Sequence, residues 1–268
     1  MIKSAVGAVF NVSQTIAEII LGIPPLQIIN QINKIKHHLK LNMNNEDGDR
    51  LTSLITKTVT EEQTTPVELV CALKETLRFL KWKGINNQIS AEDSEIINNN
   101  NIQRFFDISP EACKYTKKMM TEYTEFIWKK TVTNYYQVNG KSIIPTPSCK
   151  PLALKHNTTR KNEVTVMSLF YDNNLMNNFL YQRSLCESPT CPACGEDEQT
   201  PYHAIVKCGG VDEIYRTDVK NQLVSAIGEE LADIASSVTL LNASRSRNFM
   251  DVCTAIVESG DFRTDIEL

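Results

Sequence analysis

Apolar residues along most of this chain recur at steps of three and four, the spacing of one helical face. Leu26, Ile29, Ile32, Ile35 and Leu39 form one such stripe and predict a helix there. A shorter helix is predicted over 14–21, with Ser13 as its cap and Gly22, followed by Pro24 and Pro25, as its stop. A third is predicted over 66–82, capped by Thr65, with Pro66 in its first turn, Glu68 three residues after the cap and Gly84 at its end. A fourth opens at Ser109 and Pro110 and carries Ala112, Tyr115, Met119, Tyr123 and Phe126 at helical spacing. One more helix is predicted within 164–180, and two further ones over 211–235 and 244–258. A polar loop at 42–49, an Asn-rich stretch at 86–103 and the Gly- and Pro-marked break "NGKSIIPTPSCKP" separate them. Period-two alternation is scarce and no internal repeat is found. The expected fold class is mostly α, with a small zinc knuckle near the C-terminal end. Four segments are expected: 1–42, 43–150, 151–210 and 211–268.

Composition narrows this picture. Hydrophobic residues make up 41% and charged residues 22% of 268, as in a globular protein. The net charge of -4 means that any nucleic acid would have to meet a local patch. No run reaches the length of a membrane span, and the start lacks the layout of a signal peptide. An intracellular protein with reduced thiols is expected, with no membrane role.

The eight cysteines change the picture further. Cys191, Cys194, His203 and Cys208 follow one another at Cys-x2-Cys-x8-His-x4-Cys spacing. Thiolate and imidazole are the ligands that tetrahedral zinc prefers, and four protein ligands leave no position for a reacting water. The spacing therefore predicts structural Zn2+. Cys-Pro-Ala-Cys offers two sulfurs from one turn, Gly195 suits a positive φ just after it, and Thr200 and Pro201 read as a helix start. The alternative is a set of unrelated buried thiols acting as small hydrophobes. Cys186, five residues before Cys191, is a second candidate for one ligand position. His37 and His38 are adjacent on a helix, point different ways, and are expected at the surface rather than on a metal.

The stretch from Lys155 to Cys208 resembles the C-terminal region of Jockey-like non-LTR retrotransposon polyproteins. The likeness rests on Ser188, Pro189, Cys191, Cys194, Gly195, Gln199, Thr200, His203 and Cys208. Gln199 stands where that family often has Glu, and Phe170-Tyr171 where an Arg-rich run is common. The N-terminal segment, with its "GIPPL" turn, is similar to the region that follows the polymerase core in that family. Together the resemblance covers 1–42 and 151–208, with nothing comparable over 43–150. It implies a piece downstream of a reverse transcriptase, a fragment or a gene derived from one. Paired aspartates for two metal ions are not found, since "FYDNN" holds a single one, Asp172. Asp47 and Asp49 read as loop residues. No Ser-His-Asp grouping or phosphate-binding glycine loop stands out, so a non-catalytic module is expected.

Charge is unevenly spread. From Lys114 to Lys161 ten basic residues (114, 117, 118, 129, 130, 141, 150, 155, 160, 161) face two acids, Glu122 and Glu125. Residues 187–233 hold ten acids against three bases. Lys117, Lys118, Lys129, Lys130, Arg160 and Lys161 are the expected contacts for RNA or DNA. The interleaved Tyr115, Tyr123, Phe126, Trp128, Tyr135 and Tyr136 are candidates to stack on bases. The alternatives are a helix whose aromatics are core and whose lysines only solvate it, and a helical protein-interaction module with a structural zinc and a protein partner.

Overall fold

Helices carry the regular structure of the chain. The computed structural model describes residues 13–43, 67–84, 110–152, 159–171 and 176–259. In chain order the helices are α1 (Gln14–Leu21), α2 (Leu26–Met43), α3 (Val67–Trp82), α4 (Pro110–Cys113), α5 (Lys117–Val138), α6 (Arg160–Ser168) and α7 (Asn177–Gln182). A π turn (His203–Lys207) follows, then α8 (Glu213–Ile227), α9 (Glu229–Ala232), α10 (Ser237–Ala243) and α11 (Arg247–Ser259). Among the described residues no strand forms; one isolated antiparallel bridge joins Thr190 and Glu198. No single helix among them is long and apolar enough to cross a membrane. Of the loop expected over 42–49, residues 42–43 belong to α2; 44–49 with Asp47 and Asp49, the stretch 86–103, Thr65, Pro66, Ser109, Lys155 and Asp172 lie outside the described residues.

The chain divides into two compact units, 24–128 and 1–23 with 129–268. In the first, α2 packs on α3 and α4. The buried stripe of α2 is Ile28, Ile32, Ile35 and Leu39, whereas Leu26 is 70% exposed. The predicted stripe is thus rotated at its start, where Ile28 rather than Leu26 is buried. Each buried aliphatic side chain contributes about 1.5–3 kcal/mol over leaving it in water. Leu77, Phe79 and Leu80 of α3 are buried. The Phe79 and Tyr123 rings meet edge to face at 5.0 Å, with Trp82 5.2 Å from Tyr123. Gln31 donates to Glu75, tying α2 to α3.

His38 is buried, not at the surface. Burial, then the charges of His37 and Lys34, lower its pKa to about 4. The helix expected from Ser109 onward breaks after Cys113. Thr116 Oγ1 accepts the Met119 N–H at 3.1 Å and so starts α5 afresh. Lys83 Nζ takes up two carbonyls freed by the break, donating to Ala112 at 2.9 Å and Lys114 at 2.5 Å.

In the second unit α8 packs on α10, α11 and the π turn, and α6 on α11. Phe249, Met250, Cys253 and Ile256 of α11 are buried together with Val219, Leu223, Leu240 and Leu241. The run expected over 164–180 is two short helices, α6 and α7. Thr159 starts the first, its hydroxyl accepting from Asn162 N. The run 211–235 breaks at Gly228, whose φ of 83° ends α8. Ser13 makes no side-chain cap, but Gly22 stops α1 at φ 65° as predicted. A side chain at Gly22 would overlap the Lys150–Pro151 backbone. Arg245 fixes that approach, donating to Lys150 O and to Ile19 O, both at 2.8 Å.

Candidate metal centre

From Cys191 to Gln199 the chain carries no apolar side chain larger than Pro192, apart from the thiols themselves. Its shape comes from backbone bonds. Gly195 N–H donates to Cys191 O at 2.8 Å and takes the positive φ, 72°, expected of it. The chain then doubles back: Cys191 N–H reaches Asp197 O at 2.7 Å, and Gln199 N–H reaches Pro189 O at 2.8 Å. Thr200 begins the next element, its hydroxyl accepting from His203 N at 3.1 Å.

That element is not an ordinary helix. Five residues of α-helix turn through about 500°, which would leave His203 and Cys208 about 140° apart. Instead Cys208 N–H donates to His203 O at 2.8 Å, an i to i+5 bond. The wider π turn brings both side chains to one side.

The result gathers all four predicted ligands. The ligating atoms of Cys191, Cys194, His203 and Cys208 lie within 4.8 Å of one another, close enough to hold a metal ion. Cys191 Sγ and Cys208 Sγ are 3.6 Å apart, and Cys194 Sγ is 3.4 Å from His203 Nε2. The other ring nitrogen, His203 Nδ1, sits 3.6 Å from the Asp197 carboxylate. Burial, against the pull of Asp197, lowers the His203 pKa and keeps the ring neutral, the form that ligates. Burial pushes the Cys208 thiol up to about 12, and its neighbours Cys191 and Cys194 add to the rise. Burial also acts to raise Cys194. There the backbone N–H groups of Glu196 and Asp197 and bonds from Cys191 and Cys208 outweigh it and lower the pKa. A cation among these sulfurs would supply the charge that lets them ionise together.

Cys186 is not a ligand candidate in this arrangement: its sulfur donates to Asn177 O at 3.5 Å and Ser188 O at 3.2 Å. Three residues with no assigned part in the spacing hold the cluster instead. Gln199 is buried; its Oε1 accepts the Asn177 N–H at 2.9 Å, capping α7. Asn177 Nδ2 in turn donates to Thr190 O at 3.1 Å. Gly210 passes so close to the knuckle that a side chain there would overlap Ala193. The Gly-Gly pair straight after Cys208 was the one sequence signal of that approach.

The expected nucleic-acid contacts fall on two helices. Lys117, Lys118, Lys129 and Lys130 are exposed on α5, and Arg160 on α6, with Lys161 next to it in the chain. Lys118 lies 3.8 Å from Glu122 and Arg160 2.9 Å from Glu163. The aromatic set divides: Tyr123 and Trp128 are buried, whereas Phe126 and Tyr135 are exposed. Tyr202, beside the cluster, is buried and donates its hydroxyl to Ala232 O at 2.5 Å, so it is a packing residue. No family model matches the chain, and no curated protein or solved structure matches it either.

Proposed function

We propose that the cluster holds structural Zn2+ and that the chain is a non-catalytic nucleic-acid-binding module. In this reading it is a piece of the kind found downstream of the polymerase in Jockey-like non-LTR retrotransposon polyproteins. Zinc is supported by the spacing of the donor atoms. Zinc–sulfur bonds of about 2.3 Å and zinc–nitrogen bonds of about 2.0–2.1 Å place tetrahedral neighbours about 3.8 Å apart for two sulfurs and about 3.6 Å for sulfur and nitrogen. The corresponding separations here are 3.6 and 3.4 Å.

The observation that carries the nucleic-acid reading is the exposure of Lys117, Lys118, Lys129 and Lys130 on one continuous helix, α5, in a chain that is acidic elsewhere. Binding to phosphates releases counterions, so affinity should fall steeply with salt. The test is retention of labelled single-stranded RNA or DNA by the full chain at low salt, with K129E/K130E as the comparison. Weakened binding with a flatter salt slope supports the reading. Binding that salt does not affect, or that the double reversal leaves intact, overturns it. A chain that binds no nucleic acid and instead captures a basic protein through the acidic 187–233 segment is the second reading, which that segment's charge favours.

A further inference from the structure

The second unit contains a cleft that shares no lining residue with the cysteine cluster. Its volume is about 540 Å3, within the range of small-molecule sites. Tyr135 and Tyr136 line one side, their rings 5.7 Å apart and inclined at 70°. Phe170 and Tyr171, both buried, line it from within. Asn139 and Lys141, both exposed, stand at the rim.

The mouth is preformed by the way α5 ends. Gly140 takes φ 66°, its N–H donates to Gln137 O at 3.0 Å, and Lys141 N–H reaches back to Tyr136 O at 2.9 Å. This is the paired stop that glycine allows at a helix C-terminus. Asn139 Nδ2 adds a bond to Tyr135 O at 2.7 Å. Tyr135 is nonetheless 59% exposed, so a ring on a fixed backbone presents itself to solvent, with exposed Lys141 on the same lining. A preformed site loses little entropy on binding.

We propose that this cleft accepts one unstacked base of a single-stranded nucleic acid, with the base against the Tyr135 ring and Lys141 near the adjoining phosphate. The inference rests on the nucleic-acid reading above and names where the base goes. Every base has a π-face, so stacking on an exposed aromatic tolerates any sequence. Lys141 supplies the phosphate contact that a purely apolar occupant would not use, and Lys129 and Lys130 precede Tyr135 on the same helix. An aromatic peptide side chain is the competing occupant that the test must separate.

The test uses the full chain, labelled oligo(dT), and an abasic oligomer of equal length, in anisotropy titrations at low salt. The native chain is expected to bind oligo(dT) about tenfold more tightly than the abasic strand, the scale of one stacked base. Tyr135→Ala should remove that tenfold preference and leave abasic binding unchanged. Tyr135→Phe should restore it. Lys141→Gln should weaken both and lower the salt slope by about one. A Tyr135→Ala chain that keeps the tenfold preference, or that loses both strands equally, overturns the cleft as a base site while leaving nucleic-acid binding elsewhere intact. A native chain that binds neither strand overturns the nucleic-acid reading and this inference together.

Discussion

The knuckle and the α2–α3 pair are built on opposite physics. In α2 and α3, isoleucines, leucines and Phe79 are buried and the order follows from removing them from water. From Cys191 to Gln199 there is almost nothing to bury; the turn is held by short backbone bonds, and it helps bring four donor atoms together. The difference teaches that the two regions should respond to different insults. An apolar pair resists chelators. A turn that holds a structural metal would not, because metal-binding free energy would there be folding free energy.

The sharpest way to break the comparison is to remove a ligand. Structural zinc contributes on the order of 10–16 kcal/mol in small zinc peptides, more than any other single change here would cost. Cys208→Ser is expected to reduce bound zinc from about one per chain to nearly none. Hydrogen exchange should then show lost protection at the Cys191, Gln199 and Cys208 amides, with α2 and α3 unchanged. Protection lost in both regions would mean that their stabilities are not separate. Protection kept in the knuckle would mean that backbone bonds suffice without metal.

Acid gives the converse experiment, on the apolar region. His38 has an ordinary value of 6.5 and is lowered to about 4 by burial first, then by His37 and Lys34. Between those values the unfolded chain holds the extra proton, so stability is full above pH 6.5 and falls as pH drops toward 4. The whole effect is about 3 kcal/mol. Both tryptophans, Trp82 and Trp128, fall within unit 24–128, so urea unfolding followed by their fluorescence reads the unit that holds His38. His38→Leu should remove most of the slope. A slope that survives the substitution would assign the acid sensitivity to other groups.

The same contrast explains what the sequence let one read. Apolar periodicity located α2, because burying one face is a property of the residues themselves, and Gly and Pro punctuation located α1 and α3 closely. It missed the break between Cys113 and Lys117, where a local bond from Thr116 and the reach of Lys83, thirty-odd positions away in no periodic relation, decide the outcome. His38 was misplaced, since adjacent helix residues point different ways and that rules against a shared metal without saying which of the two faces the core. That Cys191, Cys194, His203 and Cys208 come together was legible because the chemistry of sulfur and imidazole at that spacing is restrictive. The π turn was not, because nothing in His-x4-Cys marks a fifth-residue bond except the need for both side chains to meet. Gln199 looked like a departure from a family pattern and is in fact the buried cap of α7.

The finest test asks how much of the knuckle's precision comes from outside the ligand set. A ligating imidazole commonly gives its other nitrogen to a carboxylate, which fixes the ring and raises its basicity. Asp197 occupies that position, 3.6 Å from His203 Nδ1, but its side chain is 75% exposed. Water screens an exposed carboxylate, so its effect should fall at the weak end of the usual 10–100-fold range. Asp197→Asn is therefore expected to lower zinc affinity by about tenfold, measured by competition with a chromophoric chelator. The substitution keeps the backbone carbonyl that accepts from Cys191 N, so the turn itself should persist. Unchanged affinity would mean that the Thr200 hydroxyl and the π turn hold His203 without help. A loss as deep as that of Cys208→Ser would mean that Asp197 itself binds the metal, and the four-ligand assignment would then need revision.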